Sequence, residues 1–394
     1  MEISPLEMLC IEKTERGPVQ PIKGVLCDKP VKVIIDTDLG TDLDDSLAIL
    51  SALNNPDIEI LGITTNYGPS ELRTMVIKLI VNAFRKSHPE YPQIPIITGA
   101  SCLMGTHREV FLCGSEGLPF FSHKSIEEMM DFTQWPSQVQ TNAANFIIAT
   151  AMRYPKMVKI VSIGIPTNIG IALQKYPPLS DLLKEIVIMG GGSFVHSPDV
   201  FFEYSTNHES WSSPKQINPP FGIPQKDQIS EWIMNGNIVH LFPNHNLSGD
   251  TLASKIMCSY PNLPLKIIHH DMTRNFWLKG KAIDHLREMA SHVNQTNYQS
   301  TDLASGIVGH LMLEWFARRH GQNGQCPHDP LTLHEAIYSG DDAHIDYVPG
   351  TFIVHEWAAF STFIPNPNGK HLFGIRPKNI DQYLEKLTNL LTKD

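Results

Sequence analysis

Val31-Lys32-Val33-Ile34-Ile35-Asp36-Thr37-Asp38-Leu39-Gly40-Thr41-Asp42-Leu43-Asp44-Asp45 decides the reading of this chain. The β-branched apolar run at its start reads as a fully buried strand. That strand stops in five carboxylates, and Ser46-Leu-Ala-Ile-Leu-Ser-Ala-Leu53 then begins a helical pattern, with Asp45 or Ser46 as the expected cap. In α/β sheets, ligands bind in the crevice at the carboxyl ends of the strands. Like charges packed there repel one another unless a cation or bound protons neutralise them. The stretch therefore points to a metal site.

Other acidic motifs fit less well. An EF-hand loop needs Gly at its sixth position and a bidentate Glu at its twelfth; counted from Asp36, these are Thr41 and Leu47. A phosphotransferase of the haloacid dehalogenase type needs Asp-x-Asp-x-Thr/Val, and Asp36-x-Asp38 is followed by Gly40 in the last place. A solvated acidic turn rarely lies between a buried strand and an apolar helix.

Asp36-Thr-Asp38-Leu-Gly40-Thr-Asp42-Leu-Asp44-Asp45-Ser-Leu-Ala48 resembles the opening signature of the inosine–uridine-preferring nucleoside hydrolases, with Leu39 where Pro is usual and two extra residues before the final Asp pair. Further segments follow in the family's order. Ile58 to Gly68 resembles its second strand and loop, and Val158 to Leu173 the segment with the Thr167-Asn168 pair. Glu185-Ile-Val-Ile-Met-Gly-Gly-Gly192 resembles its next strand and glycine turn, and Pro327-His328-Asp329-Pro330 its His-Asp-Pro segment. The resemblance runs from about Lys32 to Leu391. It implies an open, mostly parallel α/β sheet with helices on both faces, in a single large domain.

The rest of the chain is compatible with that class. We expect residues 1–30 to form an N-terminal extension and 31–394 the hydrolase-like domain, with a divergent insertion at about 205–250. Within the insertion, 205–224 reads as a long loop of the kind that serves as a lid. Asn379 to Leu391 has the spacing of a helix docked on the core. Hydrophobic residues make up 42% of the 394, enough for a sizeable core, and the net charge of −10 argues against nucleic acid or an anionic membrane as partner. No run of 18 apolar residues occurs, no signal peptide is evident, and the six cysteines are scattered without a C-x-x-C pair. Free thiols of that kind fit a reducing compartment, so the expected location is cytoplasmic. Cys326 is expected to be a core or supporting thiol rather than a nucleophile, and His269 and His270 turn or supporting residues.

Breaking a ribosyl C–N bond passes through an oxocarbenium-like transition state. It is helped by an activated water, a hold on the sugar hydroxyls and a proton for the departing base. Position by position, the resemblance implies Asp38 as metal ligand and base, Asp45 and Asp329 as further ligands, and Thr167 as a ligand through its carbonyl oxygen. These oxygen donors suit calcium better than zinc. Asp36 would buttress the site, Asp44 (or Asp42) would contact the ribose, and His328 would protonate the leaving base. Read without the resemblance, Thr167-Asn168 is equally a helix cap. Where relatives carry Glu-Phe-Asn for the sugar, Glu203-Tyr204-Ser205 stands here, with Asn207 or Asn66 to compensate; Pro69 replaces another polar sugar contact. The expectation is thus a calcium-dependent N-ribohydrolase acting on a nucleoside, assembled as a homodimer or homotetramer. A hydrolase of altered specificity and an inactive metal-binding homologue are the alternatives.

Overall fold

A computed structural model describes residues 18–22, 29–105, 120, 140–194, 228–260, 262–295, 297–319, 323–355 and 361–393, with the backbone alone of 201–203 and 215–217. Its strands are β1 (Val31–Thr37), β2 (Ile58–Thr65), β3 (Ile96–Ile97), β4 (Val158–Ser162), β5 (Glu185–Met189), β6 (Phe201–Glu203), β7 (Lys215–Ile217), β8 (Val239–Leu241), β9 (Leu265–Ile268), β10 (Leu278–Lys279), β11 (Gly324–Gln325), β12 (Ile345–Val354), β13 (Ser361–Pro365) and β14 (His371–Pro377). A 10-stranded sheet in the order β3-β2-β1-β4-β5-β9-β14-β12-β13-β8 forms the centre. From β3 to β14 the neighbours are parallel. β12, β13 and β8 close the far side as antiparallel strands. The open, mostly parallel sheet expected from the sequence is present.

The strand order fixes where a site can form. From β1 the chain winds outward through β2 to β3, then returns to β4 on the other side of β1 and winds the opposite way. Right-handed crossovers place the helices of the two halves on opposite faces, so a crevice opens at the carboxyl ends of β1 and β4. Asp36 and Asp38 lie at that end of β1, and Ser162 and Gly164 at that end of β4. The continuous apolar character of β1 follows from its place inside the sheet: Val33, Ile34 and Ile35 have no exposed surface.

Two helices carry the acidic residues into this crevice, Asp44–Leu53 and His328–Ile337, and they pack on one another. Every residue of the first is buried, which explains an apolar pattern without a polar stripe. The helix begins earlier than expected. Leu43 is its N-cap, without a side-chain cap, while Asp44 and Asp45 occupy the first turn, where negative charge suits the helix dipole. Asp45 does not cap because its carboxylate accepts a hydrogen bond from the Thr37 hydroxyl. The helix at Thr167 likewise has Pro166 as N-cap, and Thr167 lies in its first turn.

At the chain's beginning, Val19 donates to the Met234 carbonyl at 2.8 Å and Ile22 bridges to Tyr347, so residues 18–22 pack on the domain. The stretch expected as a lid is not all loop, since Lys215–Ile217 pairs antiparallel with Phe201–Glu203. The later part of the expected insertion is built into the sheet and the crevice, through β8 and the short helix His245–Gly249. Ile380–Leu391 forms the C-terminal helix.

Behind the crevice, Glu335 is fully buried and accepts from the His344 N–H at 2.6 Å and the Tyr347 hydroxyl at 2.9 Å. Burial raises its carboxyl from 4.5 to about 7 despite the nearby Lys266. Folding therefore favours the protonated acid. That contribution is complete below pH 4.5 and is lost as pH rises through about 7. Glu335→Gln is expected to flatten the decline of stability across this interval, measured from denaturant midpoints at successive pH values. An unchanged slope would show that Glu335 does not titrate there.

Candidate active site

Asp36 is registered with Thr64 on one neighbouring strand and with Ser162 on the other, in the middle of the sheet. Its carboxylate has no exposed surface and is surrounded by donors: Thr64 Oγ1 at 2.5 Å, Asn168 Nδ2 at 2.7 Å and Asn66 Nδ2 at 3.1 Å. Burial still pushes its pKa up to about 7. Both amides are engaged elsewhere too. Asn168 accepts from the Ala100 N–H, and Asn66 accepts from the Ile165 N–H at 3.1 Å. Asn66 is therefore a strut between β1 and the loop after β4, and its amide is not left over for a sugar.

The loop after β1 is shaped by backbone geometry and one buried cation. Gly40 has φ of 104°, a conformation that side chains disfavour, and the Thr41 N–H closes the turn onto the Asp38 carbonyl. A Cβ on Gly164 would lie 2.6 Å from the Asp38 nitrogen and 2.8 Å from Asn66 Oδ1, so only glycine permits this approach. Arg73 is wholly buried. Its guanidinium donates to the Asp38 carbonyl, to the Leu39 carbonyl at 2.7 Å and to the Tyr67 carbonyl at 2.9 Å. The arginine thus ties the β1 loop to the β2 loop and brings positive charge beneath the aspartates.

Carboxylate oxygens of Asp44, Asp45 and Asp329 come within 4.8 Å of one another, all three residues buried. Burial raises the pKa of each well above the ordinary range, and mutual repulsion adds to it. Arg73 favours the ionised form of Asp45, while its Nε and Nη1 donate to backbone carbonyls. A compact, buried set of carboxylate oxygens whose mutual repulsion a cation would relieve is what a hard cation requires. The residues present fit such an ion.

Asp38 stands beside this trio and differs from it. Burial would raise its carboxyl, yet the His245 hydrogen bond and charge, with Arg73, more than offset that and hold it below its ordinary value. His245 Nε2 lies 3.3 Å from Asp38 Oδ2. Asp42 is engaged by Gln325 Nε2 at 2.9 Å, so of the two aspartates considered for the ribose, Asp44 is the one in the trio. Thr167 is fully buried and its hydroxyl donates to Asp250 Oδ2 at 2.8 Å.

His328 Nδ1 lies 2.6 Å from Thr273 Oγ1, and its ring is 5.3 Å from that of His270. Burial, with His270 and Arg274, pushes His328 down to about 3, so the imidazole is neutral at physiological pH. Cys326 Sγ approaches the Thr273 carbonyl at 3.2 Å, and burial pushes its thiol up. It is a core thiol, as expected. His269 is a core residue, bonded to the Gly374 carbonyl at 2.8 Å and stacked on Phe373. Of the expected sugar contacts, Ser205 and Asn207 lie outside the described residues, and Glu203 is described in its backbone only. Sequence reasoning missed Arg73, His245 and Asp250. An arginine or histidine within an otherwise ordinary helix or loop carries no motif; its meaning comes from the partner it meets.

The sequence model of the inosine-uridine preferring nucleoside hydrolases matches residues 33–360, and the chain belongs to that family. A probable uridine nucleosidase of Oryza sativa subsp. japonica is 33% identical over 41% of this chain and 47% of its own length. An uncharacterized protein of Schizosaccharomyces pombe is 33% identical over 80% of this chain and 84% of its own. The match thus spans about half the length of several curated relatives. Among solved structures, a purine-preferring ribonucleoside hydrolase from Gardnerella vaginalis aligns with TM-score 0.58 at 19% identity, covering 92% of this chain and 98% of that one. That likeness establishes the fold.

The crowding of the trio has a measurable consequence. With divalent ions chelated, Asp329→Asn is expected to raise the unfolding free energy by about 1 kcal/mol or more, because one buried acid crowded by like groups is removed. With calcium added, the order should reverse, the wild type gaining more from the ion than the variant. A variant less stable than wild type under chelation would contradict the repulsion argument.

Proposed function

We propose that this chain hydrolyses the N-glycosidic bond of a ribonucleoside, giving free base and ribose, with calcium held by Asp38, Asp45, Asp329 and the Thr167 carbonyl. The observation that carries the reading is the buried oxygen-donor trio of Asp44, Asp45 and Asp329 at the carboxyl end of β1, with the Asp38 charge close enough to act on each, in a chain of this family. The hard, oxygen-only character of the donors favours calcium over softer metals.

When bound, such an ion acidifies a water and holds vicinal hydroxyls. The protein's own groups do the rest. Asp38, kept ionised, takes the proton of the attacking water as general base. Asp44 hydrogen-bonds a ribose hydroxyl, with Glu203, Ser205 and Asn207 completing the hold on the sugar. His328, neutral and fixed by Thr273, offers an N–H to the departing base as negative charge develops there. Asp36, with its three donors, keeps the end of β1 rigid so that these groups stay in register. A second reading, a nucleoside hydrolase with altered sugar or 5′ specificity, is favoured by Pro69 at the N-cap of helix Ser70–Ser87 and by the commitment of Asn66 to Asp36.

The reading extends to a homo-oligomeric, cytoplasmic enzyme. Among the described residues, the free thiols of Cys258 and Cys326 are in keeping with a reducing compartment. Among the described residues no helix is long and apolar enough to cross a membrane.

Release of ribose from a panel of purine and pyrimidine nucleosides, with and without a calcium chelator, tests the proposal. Turnover should occur with at least one nucleoside and disappear on chelation. Asp38→Ala should lower kcat by about 10²- to 10⁴-fold or more while the protein stays folded. Turnover that survives both treatments would overturn the mechanism.

A further inference from the structure

We propose that His245 is a positioning residue for Asp38, donating its Nε2–H to Asp38 Oδ2 and orienting that carboxylate toward the cation and the attacking water. The inference rests on the reading of Asp38 as ligand and base, and adds a residue that no motif supplied. Nε2 lies 3.3 Å from Oδ2, and an ionised carboxylate can only accept, so Nε2 must carry the hydrogen. The Asp38 side chain is 4% exposed and that of His245 37%. The imidazole thus approaches a buried carboxylate from the open side of the crevice.

The segment that carries His245 is tied down on both sides of it. Asn244, the N-cap of its helix, accepts from the Leu247 N–H at 3.0 Å. Asn246 Nδ2 donates to the Ile163 carbonyl at 3.1 Å and the Met189 carbonyl at 3.0 Å, stitching the segment to the ends of β4 and β5. The imidazole meets Tyr67 edge to face, with centroids 5.3 Å apart. Tyr67 has φ of 62° and is fixed in turn by Arg73 on its carbonyl and by Ala100 on its N–H. The chain segments after β1, β2, β4 and β5 therefore converge on one hydrogen bond. Donors that fix a metal-binding carboxylate from outside typically matter about 10- to 100-fold for metal affinity or activity.

The test compares wild type with His245→Ala, His245→Phe and His245→Gln. Calcium affinity is read by calorimetry without substrate, and kcat and KM with the nucleoside that the panel identifies. His245→Phe keeps a ring against Tyr67 but loses the donor; the Gln amide supplies an N–H in a similar place. The Ala and Phe variants are expected to bind calcium about 10- to 100-fold more weakly and to lose kcat more than KM, with Gln restoring most of both. Wild-type calcium affinity in a folded Ala variant would overturn the proposal. Should the Ala variant fail to fold, equal affinity of the Phe and Gln variants would overturn it instead. Wild type that binds calcium but hydrolyses no nucleoside would refute the activity alone, since the calorimetric comparison still decides the role of His245. Wild type that binds no calcium would remove the proposal together with the metal reading.

Discussion

The carboxylates gathered at the end of β1 repel one another where almost no water can screen them, and much of the surrounding structure compensates for that repulsion. The compensation is divided. Asp36 is satisfied by neutral donors, Thr64 and Asn66 from the end of β2 and Asn168 from the helix after β4. Asp38 is held ionised by His245 and the buried Arg73. Asp44, Asp45 and Asp329 are less fully provided for, with the Thr37 hydroxyl and Arg73 acting on Asp45, and the proton affinity of all three rises. The uncompensated charge is thus confined to one compact place, which fits an ion in a way that a general excess of acid would not.

This division depends on the topology. At the reversal between β1 and β4 two strands end side by side with their following loops turning to opposite faces. The loop after β4 must come close enough for Gly164 to touch the Asp38 backbone. Helices Asp44–Leu53 and His328–Ile337 must pack together so that Asp329 meets Asp44 and Asp45. Arg73 then locks the β1 and β2 loops with hydrogen bonds to carbonyl oxygens, leaving the aspartate side chains free for the crevice. A fold that stores like charges in its interior has to be rigid around them, and each of these contacts is a restraint on the same few residues.

The comparison of Asp42 with Asp44 shows where a one-dimensional reading ran out. The two residues inserted before the final Asp pair left their roles interchangeable in the sequence. Gln325, far along the chain, engages Asp42 and leaves Asp44 beside Asp45 and Asp329. The helix cap expected at Asp45 or Ser46 moved to Leu43 because Thr37 takes the Asp45 carboxylate, a contact that cap preferences do not encode. Asn66, considered for the sugar, proved to be a strut because both ends of its amide find partners on opposite sides of the crevice.

The sequence by itself determined the buried strand β1, the acidic stretch after it, the His-Asp-Pro segment, the parallel α/β class and the family. Each is written in local residue order: apolar runs impose burial, and motif spacing imposes the turn that follows. The tertiary structure alone decided which carboxylates meet, which groups Arg73 and His245 approach, and which amides are committed. Those outcomes depend on distances between residues far apart in the chain, and hydrogen bonds and charge repulsion act over a few ångströms of space, whatever the separation in sequence.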